Sequence, residues 1–352
     1  MIKLLIGGSP CTYWSIAKTK NRETEASGAG WELFKNFLIA RDKYRPDYCL
    51  YENNKSMSKA IRTQIAAEFG FDPVCINSAL LSAQTRHRLY WLGRREEDGT
   101  YSRVEVEQPE DRGILMRDIL ESGFPLDEKG DTMKASYAKS SAANGVCGHH
   151  FLAPMAAEPV RIRTIGRGTK NAGFDSQQYN GRPAYEVRGG EIAINGKQYP
   201  IKLSDGCYII RKLTVTECKR LQTVPESYVF PVSHTQAYKM LGNGWTVDVI
   251  AHILSRIPGI TTGPVEVLSM YDGMSCGHIA LDKLGVEVSR YYATEIDKYA
   301  IQTTQRNYPE TVQLGDAFRV RDEWWSVGKE NGCGYQGAGE VREHEKNTDL
   351  HL

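Results

Sequence analysis

An apolar run near the start of the chain ends in a turn that presents a single thiol. Residues 4–6 are Leu-Leu-Ile, and a Gly-Gly-Ser-Pro turn at residues 7–10 separates them from Cys11. A short apolar run that ends in glycine and proline is typical of a buried parallel strand. Open α/β sheets bind ligands at the carboxyl ends of such strands. The stretch therefore predicts an α/β fold with Cys11 at the ligand-binding edge of its sheet.

A thiol after a strand is weak evidence by itself, because cysteine is among the most buried residue types and is usually inert. Two downstream motifs change this interpretation of Cys11. Glu52 follows one apolar run, and Arg86 and Arg88 precede another. A thiol, a carboxylate and two guanidiniums at one sheet edge suit nucleophilic attack on a polar, electron-poor ring.

The three motifs resemble those of the DNA cytosine-5 methyltransferases, in the order in which that family carries them. They are Pro10-Cys11, Glu52-Asn53 and Gln84-Thr85-Arg86-His87-Arg88. The resemblance, to bacterial restriction-modification enzymes and to animal de novo methyltransferases, implies a doubly wound, Rossmann-like α/β sheet. It also implies that Cys11 attacks C6 of a flipped cytosine, that Glu52 hydrogen-bonds N3 and the exocyclic amine, and that Arg88 holds O2. Arg86 would brace the pocket, and Ser15 would contact a DNA phosphate.

A second glycine-rich turn, residues 271–277, follows the apolar run 265–270. Such a turn, with Glu295 ending the next predicted strand, is typical of nucleotide sites in which a carboxylate bonds ribose hydroxyls. The turn resembles the S-adenosyl-L-methionine half of the same family in its animal de novo form. That half normally comes first, so the resemblance implies a circularly permuted member. The residues it assigns to the cofactor are Tyr271, Asp272, Gly273, Met274, Cys276, Gly277, Glu295, Ile296 and Asp316, together with Asn243 and Trp245 of the motif at residues 241–247.

Residues 160–202 carry eight lysines and arginines against three acidic residues. Glycines and short alternating runs in this segment predict a small, irregular β-rich lobe. Its charge excess favours contact with a phosphate backbone over a merely solvated face. The resemblance implies a target recognition domain for double-stranded DNA. The candidate DNA contacts are Arg163, Arg167 and Arg182 as guanine readers and Lys170 as a phosphate contact.

Composition limits the alternatives. The net charge of the 352 residues is only +1, so a nucleic-acid surface must be local. No apolar run approaches the roughly 18 residues of a membrane span. The eight cysteines form no CxxC pair, which predicts a reducing, cytoplasmic protein of a bacterial or phage-infected cell. Cys147, His149 and His150 lack a fourth metal ligand, so no metal is expected.

The pattern predicts one large catalytic domain with a smaller recognition lobe. The expected parts are a catalytic half at 1–110, loops and the target recognition domain at 111–210, returning helices at 211–257, a linker at 258–264, the cofactor half at 265–327 and a disordered tail at 328–352. Within the cofactor half, residues 319–327 are expected to be helical.

Three functions stay open. The first is methylation of cytosine C5 in a specific double-stranded DNA sequence by a monomer, with a restriction endonuclease as a candidate partner that the sequence neither requires nor excludes. The second keeps the chemistry but takes tRNA, and the basic lobe favours duplex DNA over it. The third is a catalytically inactive DNA-binding regulator, which the presence of Cys11, Glu52 and Arg88 disfavours.

Overall fold

A computed structural model of the protein describes residues 1–18, 20–141, 146–147, 150–151, 153–160, 177–179, 182–194, 196–323 and 325–327. The strands are β1 (Ile2–Gly7), β2 (Tyr48–Asn54), β3 (Val74–Asn77), β4 (His87–Arg95), β5 (Tyr101–Arg103), β6 (Phe124–Pro125), β7 (Val146–Cys147), β8 (His150–Phe151), β9 (Met155–Val160), β10 (Gln177–Tyr179), β11 (Arg182–Arg188), β12 (Glu191–Ile194), β13 (Lys197–Pro200), β14 (Gly206–Lys212), β15 (Val265–Met270), β16 (Val288–Thr294) and β17 (Val312–Gly315). The helices are α1 (Gly28–Tyr44), α2 (Lys59–Phe69), α3 (Met116–Ile119), α4 (Val215–Leu221), α5 (His234–Asn243), α6 (Val247–Leu254), α7 (Cys276–Lys283) and α8 (Lys298–Asn307).

The predicted α/β fold is confirmed by a central sheet in the order β17-β16-β15-β1-β2-β4-β3, with β5 paired to β4. Strands β17, β16, β15, β1 and β2 run parallel to one another. Strand β4 runs antiparallel to both β2 and β3. The amino end of β4 therefore lies at the same sheet edge as the carboxyl end of β2. This reversal brings the arginine motif to the edge that carries Cys11.

Strand β1 lies in the middle of this sheet and joins the early and late parts of the chain. Ile2 pairs with Val265 and Gly7 pairs with Met270. Leu5 belongs to a buried cluster that includes side chains of α1 and α2. Leu4 belongs to the buried cluster that includes side chains of α6 and α7. Successive side chains of β1 thus face opposite helical layers, as burial on both faces of a parallel sheet requires.

Local signals place the helices that flank the sheet. Ser58 caps α2 by accepting a hydrogen bond from the amide of Ile61, and Gly70 ends the helix with φ of 81°. Thr214 and Glu217 form a capping box at the start of α4. Side-chain caps satisfy amides that the first helical turn leaves unpaired.

A second, antiparallel sheet has the order β13-β12-β11-β14-β9-β6, with β10 paired to β11. Its described strands lie between Phe124 and Lys212 and include those of the segment for which a β-rich lobe was predicted. Strand β9 pairs with β14 along its whole length, and its alanines give the sequence little hydrophobic contrast to reveal it. Of the candidate DNA contacts, Arg163, Arg167 and Lys170 lie outside the described residues, and Arg182 is described only through its backbone in β11.

The helix predicted for residues 319–327 is wrong. A short 3-10 helix covers Ala317–Arg321, and the backbone is extended at Asp322. Lys43 of α1 donates a hydrogen bond to the carbonyl of Asp322 at 2.7 Å, and Trp325 is buried beyond it. Tertiary contacts with α1 thus replace a continued helix. The tail predicted to be disordered, residues 328–352, lies outside the described residues.

Two findings concern a membrane and a metal ion as partners. None of the described helices is long and apolar enough to cross a membrane. Among the described side chains, no group of three histidine, cysteine, aspartate or glutamate residues could hold a metal ion.

Candidate active site

Cys11 begins a one-turn 3-10 helix, Cys11–Tyr13, just after β1. The backbone reaches this point through two glycines with close neighbours. A Cβ atom added to Gly7 would lie 2.8 Å from the carbonyl oxygen of Met270, and one added to Gly8 would lie 2.8 Å from Oε2 of Glu52. The turn therefore brings the thiol segment against β2 at a distance that only glycine allows.

Hydrogen bonds between the turn and β2 fix this approach. The hydroxyls of Ser9 and Tyr51 are 2.7 Å apart. The side-chain amide of Asn53 donates to the Ser9 carbonyl at 3.1 Å and to the Tyr51 hydroxyl at 3.1 Å. Sequence reasoning did not assign roles to Ser9 or Tyr51, although a tyrosine directly before a Glu-Asn pair is a usable signal. These buried contacts make the turn rigid beside the catalytic candidate.

The carboxylate of Glu52 has one donor on each oxygen. Nε of Arg88 lies 3.1 Å from Oε1, and the indole Nε1 of Trp245 donates to Oε2 at 2.9 Å. Glu52 retains only 8% of its exposure. The structure thus brings together two of the predicted catalytic residues, and it adds Trp245, which the resemblance had assigned to the cofactor.

Arg86 is buried and binds backbone rather than facing the cleft. Its guanidinium donates to the carbonyls of Met133 at 2.9 Å, Gly242 at 3.1 Å and Gly244 at 2.8 Å. Burial, followed by the charge of Arg88, lowers the pKa of Arg86 to about 10. These hydrogen bonds hold the end of α5 and the residue after it against the sheet edge that carries Cys11.

The groups around Cys11 act on the pKa of its thiol in opposite directions. Burial raises the pKa of the Cys11 thiol above its ordinary value of 9.0, and the charge of Glu52 raises it further. The charges of Arg88 and Arg86 lower it, but by less. The thiol is therefore mainly protonated near neutral pH.

The loop after Cys11 packs back on the protein. Trp14 donates its indole N–H to Glu23 at 3.2 Å, and Glu23 also accepts from the amide of Gly30. The Ser15 hydroxyl accepts from the amide of Ala17 at 3.2 Å and is half-buried. Ile16, by contrast, is 68% exposed. The loop is thus anchored at its base by Glu23 and presents its tip to solvent.

The turn after β15 adopts a backbone that few side chains tolerate. Tyr271, Gly273 and Ser275 have φ values of 60°, 59° and 57°. Tyr271 is held in this strained form by its hydroxyl, which donates to the Leu33 carbonyl at 2.7 Å. A Cβ atom added to Gly273 would meet nothing within 4 Å, so the turn opens on free space. Such outliers concentrate where a fold presents backbone to a ligand.

Several residues assigned to the cofactor by resemblance instead face the protein. Asp272 accepts from the hydroxyl of Tyr291 at 2.8 Å and from that of Ser275, and burial raises its pKa to about 6. Met274 and Cys276 are buried. A Cβ atom added to Gly277 would lie 2.1 Å from Cδ1 of Ile6, so this glycine lets α7 pack on β1.

Glu295, at the carboxyl end of β16, organises the rest of this edge. Its Oε2 accepts from the amide of Gly273 at 2.8 Å, and its Oε1 accepts from the amides of Ile296 and Asp297 at 2.7 Å each. Asp316, after β17, accepts from the amide of Phe318 at 2.9 Å. Asn243 is exposed at the end of α5.

The same edge leaves large apolar side chains in contact with solvent. Ile296 is 74% exposed and Phe318 is 41% exposed. Exposed apolar surface beside a carboxylate and an open glycine turn fits a ligand with a flat ring and a hydroxylated sugar. The residues present therefore fit the nucleoside part of S-adenosyl-L-methionine.

A mixed α/β domain with a thiol, a carboxylate and a nucleoside-type turn along one sheet edge is the architecture of a nucleotide-dependent group-transfer enzyme. The family model for C-5 cytosine-specific DNA methylases matches residues 1–259. The chain therefore belongs to this family, whose members are S-adenosyl-L-methionine-dependent DNA methyltransferases.

Several methyltransferases are similar to this chain. Type II methyltransferase M.HpaII of Haemophilus parainfluenzae is 24% identical over 70% of this chain and 69% of its own length. Type II methyltransferase M.NlaX of Neisseria lactamica is 29% identical over 72% of this chain and 75% of its own length. Among solved structures, the Entamoeba histolytica methyltransferase EhMeth has a TM-score of 0.44 at 12% identity, covering 72% of this chain and 76% of that one.

Proposed function

We propose that the protein methylates C5 of a flipped cytosine in a specific double-stranded DNA sequence, through a covalent intermediate on Cys11. The observation that carries this proposal is the close grouping of the Cys11 turn, Glu52 and Arg88 at one sheet edge. Gly8 brings the turn against Glu52, and Arg88 lies 3.1 Å from the same carboxylate. A target base inside a duplex must leave the helix before a thiol in such a cleft can reach it.

Each side chain has a distinct task in this reaction. The Cys11 thiol gives up its proton to Glu52 as its sulfur adds to C6. Glu52 shares that proton with the ring nitrogen N3 and accepts a hydrogen bond from the exocyclic amine, so that the electron pair displaced from the C5–C6 bond spreads over C5 and N3. Arg88 holds O2 while it remains paired with Glu52. S-adenosyl-L-methionine supplies the methyl group as an electrophile when bound. After C5 has been methylated, its hydrogen leaves as a proton to water and the electron pair re-forms the C5–C6 double bond. The sulfur leaves C6 as the Cys11 thiolate, which regains the proton held between N3 and Glu52.

The residues proposed for the cofactor lie on both sides of β15 in the sequence. We infer that Glu295 and the turn at Gly273 bind the ribose, and that Tyr271, Ile296 and Asp316 surround the adenine. For Asp272, Met274, Cys276 and Gly277, the buried contacts support a role in shaping the turn. Asn243, exposed at the end of α5, remains a candidate contact.

We infer a circularly permuted order for the motifs. The parallel pairing of β15 with β1 supports this inference, because it places the turn at 271–277 beside the Cys11 turn although the two are far apart in sequence. The extent of the family match supports it too, since the match ends at residue 259, before β15 begins. Permutation is tolerated when the new ends fall in exposed connections.

We propose that the second sheet reads the DNA sequence. Its segment 160–202 carries the local excess of lysine and arginine, and a bidentate arginine–guanine contact gives about 1–3 kcal/mol of discrimination. Grafting residues 150–210 onto a related enzyme of known target should transfer the target. A folded graft that still methylates the recipient's original site would show that specificity lies elsewhere.

The catalytic proposal is tested with duplex DNA containing 5-fluorocytosine. Fluorine at C5 prevents elimination after methyl transfer, so wild-type protein should remain attached to the DNA and Cys11→Ala should not. Cys75→Ala is the matched control, since Cys75 is a half-buried free thiol on β3. Equal trapping of the Cys11→Ala protein would show that the assigned nucleophile is wrong.

The choice between substrates needs a separate measurement. Bisulfite sequencing of both DNA and tRNA from cells that express the protein should find new methylcytosine only in DNA. Methylation confined to tRNA would assign the second open function, and none in either would assign a regulator.

A further inference from the structure

We propose that Trp245 is a positioning residue that fixes the Glu52 carboxylate for the cytosine ring and ties it to the cofactor half of the site. This inference rests on the proposed function and deepens it. It differs from the family assignment of Trp245 to the cofactor, because it gives the indole N–H a task in cytosine activation.

The first observation is the two-point hold on the carboxylate. Trp245 Nε1 donates to Oε2 at 2.9 Å, and Nε of Arg88 lies 3.1 Å from Oε1. One donor alone would leave the carboxylate free to rotate about that contact. Two donors on different oxygens define its plane. The direction in which Glu52 meets N3 and the exocyclic amine therefore depends on Trp245 as much as on Arg88.

The second observation is how firmly the tryptophan itself is held. The chain just before it packs on α7, because a Cβ atom added to Gly244 would lie 3.1 Å from Sγ of Cys276, the first residue of that helix. Arg86 donates to the carbonyl of Gly244, the residue before it, at 2.8 Å. Thr246, the residue after it, donates its hydroxyl to Gln222 at 3.0 Å. The backbone of Trp245 is thus fastened to the cofactor half while its side chain holds the catalytic carboxylate.

A reaction that needs no cofactor separates this role from a cofactor contact. When sulfur adds to C6, the electron pair displaced to C5 can take a proton from water. Loss of the original C5 hydrogen followed by departure of the sulfur then restores cytosine. Tritium at C5 is thereby released into water without any methyl donor, at a rate that depends on Cys11 and Glu52.

The experiment uses the full chain and duplex DNA with tritium at cytosine C5, without S-adenosyl-L-methionine. Trp245→Phe keeps an aromatic ring and removes the N–H donor together with the rest of the five-membered ring. Loss of one hydrogen bond to a charged group should slow tritium release by about 10- to 100-fold. The Kd for S-adenosyl-L-methionine, measured by calorimetry, should stay within about twofold of wild type.

Trp91→Phe is the matched control for the same chemical change. Trp91 lies in β4, is fully buried, and its indole nitrogen has no hydrogen-bond partner among the described residues. The Trp91→Phe protein should release tritium from cytosine C5 at the wild-type rate. Trp245→His, whose ring can still donate a hydrogen bond, should recover part of the exchange rate and remains informative if Trp245→Phe does not fold.

The outcomes separate this inference from the proposed function. Normal exchange in Trp245→Phe, with weakened cofactor binding, would overturn the positioning role and leave the methyltransferase proposal intact. Absence of both exchange and methylation in wild type would overturn the proposed function, and this inference with it.

Discussion

Arg88 and Glu52 form an ion pair across two antiparallel strands, with 3.1 Å between Nε and Oε1. Arg88 is directly opposite Asn54, two residues beyond Glu52 on β2. Residues two apart on a strand share a face, so the pair is diagonal and both side chains face the Cys11 turn. Glu52 raises the pKa of the Cys11 thiol and Arg88 lowers it, so the pair can be tested by measuring that pKa.

The pKa of Cys11 should respond in opposite directions to loss of each partner. Glu52→Gln removes a charge that raises the pKa, so the pH midpoint of alkylation should fall. Arg88→Met removes a charge that lowers it, so the midpoint should rise. The measurement is the iodoacetamide rate between about pH 7 and 11, minus the rate of the Cys11→Ala protein. Shifts of the same sign in both variants would contradict the arrangement described.

The distance between Gly8 and Glu52 predicts a local effect of a single methyl group. Gly8→Ala would place Cβ 2.8 Å from Oε2 of Glu52 and 3.0 Å from its carbonyl oxygen. The carboxylate must move, so methylation should fall at least about tenfold, with at most about 1–3 kcal/mol lost from the free energy of unfolding. Gly263→Ala is the control, since a Cβ there meets nothing within 4 Å. Full activity of Gly8→Ala would show that Glu52 need not be fixed.

Asp272 should make stability depend on pH in an unusual direction. Its pKa of about 6 in the folded protein lies above the ordinary value of 3.8, because burial disfavours the charged form. The folded state therefore binds the extra proton between about pH 4 and 6, and the free energy of unfolding falls as pH rises through this range. At roughly 1.4 kcal/mol per pKa unit, the loss is about 2–3 kcal/mol.

Urea unfolding at several pH values tests this prediction. Asp272→Asn should lack the fall between about pH 4 and 6 that wild type shows. Asp42→Asn, at an exposed position on α1, should keep it. If all three proteins lose stability in parallel, another group is responsible.

Glu295 should matter for cofactor binding and not for DNA affinity. Glu295→Ala removes the proposed ribose contact and also releases the amide of Gly273, which shapes the turn. The affinity for S-adenosyl-L-methionine should weaken by about 1.5–3 kcal/mol, the range for a hydrogen bond to a charged group. Calorimetry measures this, with Glu287→Ala, an exposed residue just before the same strand, as control. Equal cofactor affinity in wild type and Glu295→Ala would remove Glu295 from the site.

Local signals explain what the sequence alone could predict. The apolar runs before Cys11 and before residues 271–277 each depend on a few neighbouring residues, and each forms a buried strand as expected. Consistent local preferences of this kind are the part of a fold that a single sequence states directly.

Long-range contacts explain what could not be predicted. Two sets of hydrogen bonds join residues far apart in the chain: those from Arg86 to Gly242 and Gly244, and that from Trp245 to Glu52. Neither has a periodic or spacing signal. The wrong helix at residues 319–327 has the same origin, because the contact between Lys43 and Asp322 is invisible to local propensity.

The pairing of β1 with β15 constrains how the protein can be made. Ile2 leaves the ribosome early, but its partner Val265 is synthesised between about 15 and 50 s later at roughly 5–20 residues per second. Throughout that interval one edge of β1 has no partner strand, and an unpaired edge is a template for association with other chains. Protection of this edge during synthesis, by a chaperone or by delayed collapse, is therefore a condition for a high yield of native protein.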